Sequence, residues 1–428
     1  MSKLFFFVFI NLVIGSTKLF GFELKTQSKA VVLIDSKTGK ILFEKNAHTL
    51  LPPASTTKVA TVCYALNKLQ GKDLSQLLDA PAEVLQTVTK SYKKKVSYKC
   101  PAYLLEPDGT SLEIKKNEKL PISTLLYGTM MASANDGANV LAYHLGSKKI
   151  DNFMAGLNKF IKDLGCQKTK FSNPHGLHHP EHSTTAYELA LITREAMKDQ
   201  LFRKLVSTPM CVRPKTNKSE EKLFYQPNRL LLEGNFYYPQ ALGVKTGYTE
   251  DAGYCLVACA KDLNRDLIAV ILGSPTYQDR YADAIELFNQ AFSEVKKKQK
   301  IYSKKDAVFK YTHPKASKTI ALNILKDIDI EYYASLKPKI NTEVTYNPIS
   351  PPFSKGQVLG VLSIYLEEEK YDDYDLVCLE NIQLKSYLRF KENLKDNFLI
   401  WIVSFFCVNF FFYLAFKQRK YFERLFIR

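Results

Sequence analysis

An uncharged apolar stretch near the C-terminus places the strongest constraint on how this chain can fold. Residues 398–416 read FLIWIVSFFCVNFFFYLAF and contain no charged side chain. A helix of this length is long enough to cross the hydrocarbon core of a bilayer. Basic residues follow the stretch: Lys417, Arg419, Lys420, Arg424 and Arg428. Because such residues favour the cytoplasmic side, the sequence predicts a transmembrane helix over 398–416 and a cytoplasmic tail over 417–428.

A second apolar stretch lies close to the N-terminus. Lys3 precedes the apolar residues 4–14, and one positive charge before a short apolar core is typical of a secretory signal peptide. We predict a signal peptide over residues 1–21 and leave its cleavage site open, with an uncleaved anchor as the alternative. The two ends together indicate a body on the extracytoplasmic side of a bacterial cytoplasmic membrane, tethered by its C-terminal helix.

Charge and metal-ligand residue types limit the function classes. The formal net charge is +17, which suits nucleic acid, anionic lipid or an acidic polymer as a neighbour, and export argues against nucleic acid. The eight cysteines do not have the spacing of a zinc site. One segment is rich in histidine: His175, His178, His179 and His182. Because no nearby carboxylate completes a known zinc motif, we expect no metal and no cofactor.

The apolar pattern divides the chain into two folded parts, since 428 residues exceed what one compact core usually contains. Residues 22–295 combine a strand pair at 30–45, a hairpin at 253–273, and helices at 120–145, 151–164, 184–206 and 279–295. The lysines at 93–95 indicate a solvated loop, and the basic run 296–305 indicates a solvated linker. Short strands broken by Pro and Gly predict a small all-β domain over 306–390. The predicted fold class is α/β (α+β) with an antiparallel sheet.

Three short motifs contain residues suited to acyl transfer. In Ser55-Thr56-Thr57-Lys58, at the start of a helical pattern, residues three apart share one helix face, so the lysine amine can approach the serine hydroxyl. Lysine can act as a base towards serine when burial or a nearby positive charge lowers its pKa. Such a motif occurs by chance in many chains, so its spacing alone does not identify a site.

The second and third motifs are equally weak when taken singly. Ser133-Ala134-Asn135 interrupts an apolar pattern, where the serine could relay a proton, or could simply be a helix N-cap. Lys245-Thr246-Gly247 lies ahead of the predicted hairpin. Its cation and hydroxyl suit a carboxylate, and its glycine would let a substrate backbone lie close to a strand.

In combination, S-x-x-K, S-x-N and K-T-G in this order resemble the signature of penicillin-binding proteins and serine β-lactamases. Longer segments resemble the low-molecular-mass D-alanyl-D-alanine carboxypeptidases of peptidase family S11: PPASTTKVAT, LLYGTMMASANDGANVLA, TKFSNPHGLHHPEHSTTAYELALITREA and GVKTGYTEDAGYCLVACA. The resemblance covers roughly residues 28–295. It extends more weakly into the β-domain through SKGQVLGVLSIYLEEE and DLVCLENIQ. It implies a serine β-lactamase/D,D-peptidase-like catalytic domain.

The resemblance also implies a role for each motif residue. Ser55 would attack the carbonyl between two D-alanines of a peptidoglycan stem peptide, with Lys58 as general base and Ser133 as proton relay. Further residues would bind substrate: Asn135, Lys245, Thr246, Gly247, Tyr248 and Arg280. The backbone N–H groups of Ser55 and Tyr248 would form the oxyanion hole. The same resemblance implies β-lactam antibiotics as covalent inhibitors.

Three other functions remain open from the sequence. A class A β-lactamase requires a glutamate followed four places later by asparagine between the second and third motifs, and residues 136–244 contain no such pair. A D,D-endopeptidase that cuts crosslinks is not separated by sequence from a carboxypeptidase. A non-catalytic wall-binding protein is disfavoured, because a binding protein does not require Lys58. The spanning C-terminal helix departs from the family's usual amphipathic anchor.

Overall fold

The computed structural model describes residues 23–425, with side chains up to residue 420. The predicted signal peptide at 1–21 therefore lies outside the described residues. The chain divides into two compact units, Met1–Val295 and Lys296–Arg428. Each unit has its own apolar core.

The first unit is built around a five-stranded antiparallel sheet in the order β2-β1-β9-β8-β7. Its strands are β1 (Ala30–Asp35), β2 (Ile41–Lys45), β7 (Ala241–Thr249), β8 (Gly253–Lys261) and β9 (Asp266–Ser274). Two two-stranded ribbons are formed by β3 (Leu77–Asp79) with β4 (Lys119–Pro121), and by β5 (Met210–Arg213) with β6 (Lys222–Tyr225). Strand β9 is buried at every residue after its first, as expected for a continuous apolar run covered on both faces.

Helices cover this sheet and form the rest of the core. They are α1 (Lys58–Leu69), α2 (Lys90–Lys95), α3 (Ile122–Met130), α4 (Asn135–Leu145), α5 (Ile150–Asp163), α6 (Ala186–Ala196), α7 (Gln200–Ser207) and α8 (Asp279–Phe292). Helices α6 and α8 both pack on β9, and α7 packs on β7. A 3₁₀ turn, Ala54–Thr57, leads directly into α1.

The second unit consists of strands followed by two helices. Its strands are β10 (Lys296–Tyr302), β11 (Phe309–Tyr311), β12 (Ile320–Ile324), β13 (Ile328–Tyr333), β14 (Ile340–Tyr346), β15 (Val358–Leu366) and β16 (Glu369–Cys378). Five of them form an antiparallel sheet in the order β11-β12-β16-β15-β14, and β10 pairs with β13. Alternate residues of β12 (Ile320, Leu322 and Ile324) are buried, which is the pattern of a sheet with one covered face.

The predicted mixture of helices and antiparallel sheet, followed by a β-domain, is confirmed. The helices α9 (Ser386–Asp396) and α10 (Phe398–Leu425) complete the second unit. Within the described residues, one helix is long and apolar enough to cross a membrane, Phe398–Lys420. None of its most apolar window is buried in the protein.

Five local predictions were wrong. The helix predicted at 120–145 is two helices, α3 and α4, with a turn at 131–134 between them. Residues 296–302 are strand β10 rather than a linker, because pairing with β13 satisfies the backbone while the lysine side chains stay in water. The helix predicted at 184–206 is two helices, since the Asp199 side chain accepts hydrogen bonds from Leu201 N and Phe202 N and so begins α7. The β-domain ends before 390, where α9 begins at Ser386. Lys93 lies buried in α2 and pairs with Glu106 at 3.0 Å, not in a solvated loop.

Candidate active site

The three motifs meet at one cleft of about 550 Å³ in the first unit. Ser55 comes from the 3₁₀ turn before α1, Ser133 and Asn135 from the junction of α3 and α4, and Thr246 to Tyr248 from β7. Strand β7 is at the edge of its sheet, so the backbone groups along its outer side face the cleft rather than another strand. The motif Lys245-Thr246-Gly247 lies just ahead of the β8–β9 hairpin, as predicted, and it is itself part of strand β7.

Lys58 is the first residue of α1 and is completely buried. Its Nζ lies 3.0 Å from Ser55 Oγ, 2.7 Å from Asn135 Oδ1 and 2.7 Å from the His175 carbonyl oxygen. Burial, followed by the positive charge of Lys245, holds the pKa of Lys58 well below its usual value of 10.5, while the Asp136 carboxylate acts in the opposite direction. A lowered pKa favours the neutral form of the amine, which is the form that can act as a base.

In its neutral form, the amine of Lys58 has two N–H donors and one lone pair. The amide oxygen of Asn135 and the carbonyl of His175 accept hydrogen bonds but cannot donate them. They therefore take the two N–H groups and leave the lone pair for the Ser55 hydroxyl. This arrangement orients Lys58 to accept the serine proton.

Ser133 and Asn135 occupy a tight turn between two helices. Ser133 has a φ of 56° and its carbonyl accepts a hydrogen bond from Thr110 Oγ1 at 2.6 Å. Ser133 is therefore not an N-cap: α4 begins two residues later at Asn135, with Ala134 as the capping position. Both side chains are nearly buried and line the cleft.

Lys245 is completely buried on β7, and its Nζ donates to the Thr246 carbonyl at 2.9 Å. Burial, together with the nearby charge of Arg280, lowers its pKa to about 7. Thr246 is buried, whereas Tyr248 is about half exposed and its ring packs at a tilt against Tyr254, with ring centres 4.4 Å apart. Strand β7 thus carries a buried amine next to the cleft residue Thr246 and an aromatic ring at the cleft wall.

Arg280 lines the cleft although it lies in the first turn of α8. It is 4% exposed, and its Nη1 donates to the carbonyls of Gly247 and Cys255 at 3.2 and 3.3 Å. Three tyrosine rings surround its guanidinium within 5.2 Å: Tyr254, Tyr277 and Tyr281. Cation–π contacts and burial fix this arginine at the wall of the cleft, unlike a typical arginine on a surface helix.

Gly247 and Gly176 permit the close packing that positions Ser55. A side-chain carbon at Gly247 would lie 3.0 Å from Ser55 N, and one at Gly176 would lie 1.9 Å from the Ala54 carbonyl oxygen. Gly176 also has a φ of +91°, a conformation that glycine adopts without strain. The loop containing His175 and Gly176 therefore packs directly on the turn that contains Ser55.

Sequence reasoning missed Asp136, which lies behind the site. Its carboxylate accepts hydrogen bonds from the backbone N–H groups of Leu112, Ile114 and Gly137. It thereby ties the segment around Leu112 to α4, next to Asn135. An acidic residue inside the otherwise small and apolar segment ASANDGANVLA was the available signal.

Two of the clustered histidines have structural roles. His182 Nδ1 accepts from Ser172 N at 3.0 Å, so its Nε2–H can donate to Thr57 Oγ1 at 2.8 Å. Burial lowers the pKa of His182 to about 3 and holds that of His175 well below its usual range. Among the described residues, no group of three or more His, Cys, Asp or Glu side chains has the arrangement of a metal site.

Charged residues from two segments meet at the rim of the cleft. Lys90, at the start of α2, pairs with Glu250 at 2.6 Å and with Asp251 at 3.0 Å on the β7–β8 turn. Lys90 and Glu250 both line the cleft. Because these groups are partly exposed, the pairs contribute little to stability, but they connect opposite sides of the opening.

Comparison with known proteins gives a consistent result over both units. A family model described as D-alanyl-D-alanine carboxypeptidase matches residues 20–276, and a model described as Penicillin-binding protein 5, C-terminal domain, matches residues 297–384. D-alanyl-D-alanine carboxypeptidase DacF of Bacillus subtilis is 29% identical over 377 residues, which is 86% of this chain and 89% of that protein. DacC of Escherichia coli, with the same enzyme name, is 28% identical over 83% of this chain and 84% of its own length.

Solved structures agree in fold. The structure of penicillin binding protein 5 from Haemophilus influenzae aligns with a TM-score of 0.57 and 23% identity, and the alignment covers 85% of this chain and 99% of that one. The carboxypeptidase DacD from Francisella tularensis aligns with a TM-score of 0.54, also at 23% identity, over 85% of this chain and 95% of that one. At this level of identity the likeness concerns the fold.

Proposed function

Because this chain belongs to the D-alanyl-D-alanine carboxypeptidase family, we propose that it removes the terminal D-alanine from peptidoglycan stem pentapeptides through an acyl-enzyme on Ser55. The family predicted from the motifs is thereby confirmed, and the chain is a hydrolase of the penicillin-binding protein type. One observation carries the proposed mechanism: the buried amine of Lys58 lies 3.0 Å from the Ser55 hydroxyl.

In the acylation step, Lys58 takes the proton of Ser55 while Ser55 Oγ attacks the carbonyl carbon between the two D-alanines. General-base assistance of this kind contributes about 10²- to 10⁴-fold in rate. The developing oxyanion is stabilised by the backbone N–H groups of Ser55 and Tyr248. Support for this pairing comes from the close approach of β7 to the nucleophile turn at Gly247.

The carboxylate of the terminal D-alanine binds at the positively charged wall. Lys245 and Arg280 supply positive charge, and Thr246 supplies a hydroxyl. The edge position of β7 allows the substrate backbone to align along this strand. Charge-assisted hydrogen bonds to a carboxylate are stronger than neutral ones, so this wall selects peptides that end in a free carboxyl group.

Departure of D-alanine requires a proton on its amine. Ser133 lines the same cleft as Ser55 and Thr246, and in this proposal it relays the proton to the leaving nitrogen. The acyl-enzyme then reacts with water, which releases the shortened peptide and restores the Ser55 hydroxyl and the neutral Lys58. Asn135 holds both Lys58, at 2.7 Å, and the substrate amide.

We further propose that the helix Phe398–Lys420 anchors the enzyme in the cytoplasmic membrane with its catalytic unit on the outer side. Its length, its hydropathy and the lack of buried residues in its apolar window support this role. The basic residues after 416 support a cytoplasmic C-terminus. β-Lactam antibiotics, whose strained amide resembles the scissile bond, would acylate Ser55.

Incubation of the purified chain with a stem pentapeptide tests the proposed reaction. Release of one D-alanine per peptide is expected, and the Ser55→Ala variant should release none while keeping its melting temperature. Cleavage confined to crosslinked dimers would instead indicate an endopeptidase. Rapid turnover of penicillin would indicate a β-lactamase, and either outcome would overturn the carboxypeptidase assignment.

A further inference from the structure

A second pocket is lined partly by α3, the helix that precedes the Ser133 motif, and contains a buried cation. It has a volume of about 250 Å³ and is separate in its lining from the catalytic cleft. Its walls come from α3, from the β5–β6 ribbon and from the segment before β4. The lining consists of Leu112, Ser123, Thr124, Tyr127, Gly128, Cys211, Val212, Arg213 and Phe224.

Arg213 lacks a counter-charge in this pocket. It is 4% exposed, and its two terminal nitrogens donate to backbone carbonyls, those of Leu112 and Glu220. Its Nε is buried without a hydrogen-bond partner. A buried charge is costly unless it is paired, and among the described residues no carboxylate oxygen lies within 4.0 Å of this guanidinium.

The neighbouring charges do not neutralise Arg213. Lys222 lies directly opposite it in the β5–β6 ribbon, which adds a second cation on the same face. Glu113 is an acidic group that interacts electrostatically with Arg213. Its carboxylate, however, is 63% exposed and pairs with Lys222 at 2.6 Å. One carboxylate therefore faces two cations, which leaves an excess positive charge beside the pocket.

We propose that this pocket binds a small carboxylate with an apolar substituent. The anion would pair with Arg213, the hydroxyls of Ser123, Thr124 and Tyr127 would be available to its oxygens, and the apolar part would contact Leu112 and Phe224. At about 30 Å³ for each water molecule in the liquid, the pocket has the volume of about eight waters, which suits a short or aromatic acid. The apolar walls favour a carboxylate over inorganic phosphate.

The pocket is connected to the motif residues through one segment. Arg213 donates to the Leu112 carbonyl, and the Leu112 N–H donates to Asp136, the neighbour of Asn135. Helix α3, which supplies the pocket hydroxyls, leads into the turn that holds Ser133. The proposed ligand site does not depend on the reaction proposed above.

A pair of variants at Cys211 tests the proposal. Cys211 and Arg213 are two residues apart on β5 and so point to the same face, and Cys211 is half-buried in the pocket wall. Cys211→Asp would place a carboxylate beside Arg213 within the chain, whereas Cys211→Asn has the same shape without the charge. Neither change removes a hydrogen bond of Arg213.

Equilibrium binding of labelled benzoate to the full chain in detergent provides the measurement. Wild type and Cys211→Asn should each bind benzoate saturably at the Arg213 pocket, and this binding should be lost, or weakened at least about tenfold, in Cys211→Asp. The catalytic wall can bind carboxylates as well, so a second saturable component that is equal in all three proteins can remain. Equal saturable binding by the two variants, no saturable binding to wild type, or competition by phosphate as strong as by unlabelled benzoate would overturn the proposal. Benzyl alcohol should not compete, and competition by it would also overturn the proposal.

Discussion

Lys58 is held by three neighbours that are all neutral, and this environment explains how a lysine can act as a base. Its amine contacts a hydroxyl, an amide oxygen and a backbone carbonyl. Lys245 lowers its pKa further by charge repulsion. Removing the charge of Lys245 should therefore affect Lys58 as well as substrate binding.

Replacement of Lys58 by methionine should reduce the rate of acylation of Ser55 by about 10²- to 10⁴-fold, the usual contribution of a general base. Methionine fills a similar volume without the amine, so the fold should persist. The rate can be followed with a fluorescent penicillin. Lys68→Met, at an exposed position of the same helix, is the matched control and should acylate normally; an equal loss in both variants would contradict the assigned role.

The pKa of Lys245, about 7, predicts a pH dependence of substrate capture. The ammonium form attracts the substrate carboxylate and is lost as the pH rises through about 7. The value of kcat/KM should therefore fall on the alkaline side. In Lys245→Arg the guanidinium remains charged, so this alkaline fall should disappear or move to much higher pH. A profile of wild type that rises steadily to pH 9 would contradict the prediction.

Sequence spacing could predict the meeting of Ser55 and Lys58, because residues three apart on a helical turn lie on one face. It could not predict the carbonyl of His175 as a partner of Lys58, since that contact joins residues 117 positions apart. The sequence pattern also could not predict that Arg280 is buried. Its three tyrosine neighbours come from β8, α8 and the loop between β9 and α8, and only the folded chain brings them together.

At the scale of elements, the loop around Gly176 supports the nucleophile turn. Gly176→Ala should lower both stability and acylation rate, because its new carbon would lie 1.9 Å from the Ala54 carbonyl oxygen. Gly165 has a similar φ of +97° but open space around it. Gly165→Ala should therefore cost only about 1 to 2 kcal/mol for the left-handed backbone and leave acylation unchanged.

Thermal melting and penicillin acylation of these two variants separate backbone strain from displacement of Ser55. Similar acylation rates in Gly176→Ala and Gly165→Ala would show that the loop does not position the nucleophile. Both variants replace a glycine of positive φ by alanine, so a difference in acylation rate between them reports on the contact with Ala54 and not on the backbone conformation.

Strong apolar runs made some elements predictable. The hairpin of β8 and β9 was expected, and its turn is closed by Asp262, whose carboxylate accepts from Asn264 N and Arg265 N. Strand β7 was not expected, because Lys245, Thr246 and Gly247 interrupt its apolar pattern. Strand β10 was not predicted either, because its lysines give it no apolar pattern. It forms through backbone hydrogen bonds to β13, which do not depend on apolar side chains.

At the scale of the whole molecule, the two units and the C-terminal helix predict a tethered enzyme. A chain that ends at Asn397 should be recovered in the aqueous fraction. Its acylation by penicillin should equal that of the full chain, because the residues that line the catalytic cleft belong to the first unit. A chain that ends at Lys417 retains the apolar stretch and should remain in the membrane fraction. Membrane recovery of the shorter chain would contradict the anchor.

The most direct test of the account is the identity of the acylated residue. After reaction of the full chain with benzylpenicillin and rapid quenching, mass spectrometry of the proteolytic peptides should find one penicilloyl group, on Ser55. The Ser55→Ala variant should show no adduct and no release of D-alanine from a pentapeptide. An adduct on another residue, or a Ser55→Ala variant that still releases D-alanine, would contradict the assignment of Ser55 as the nucleophile.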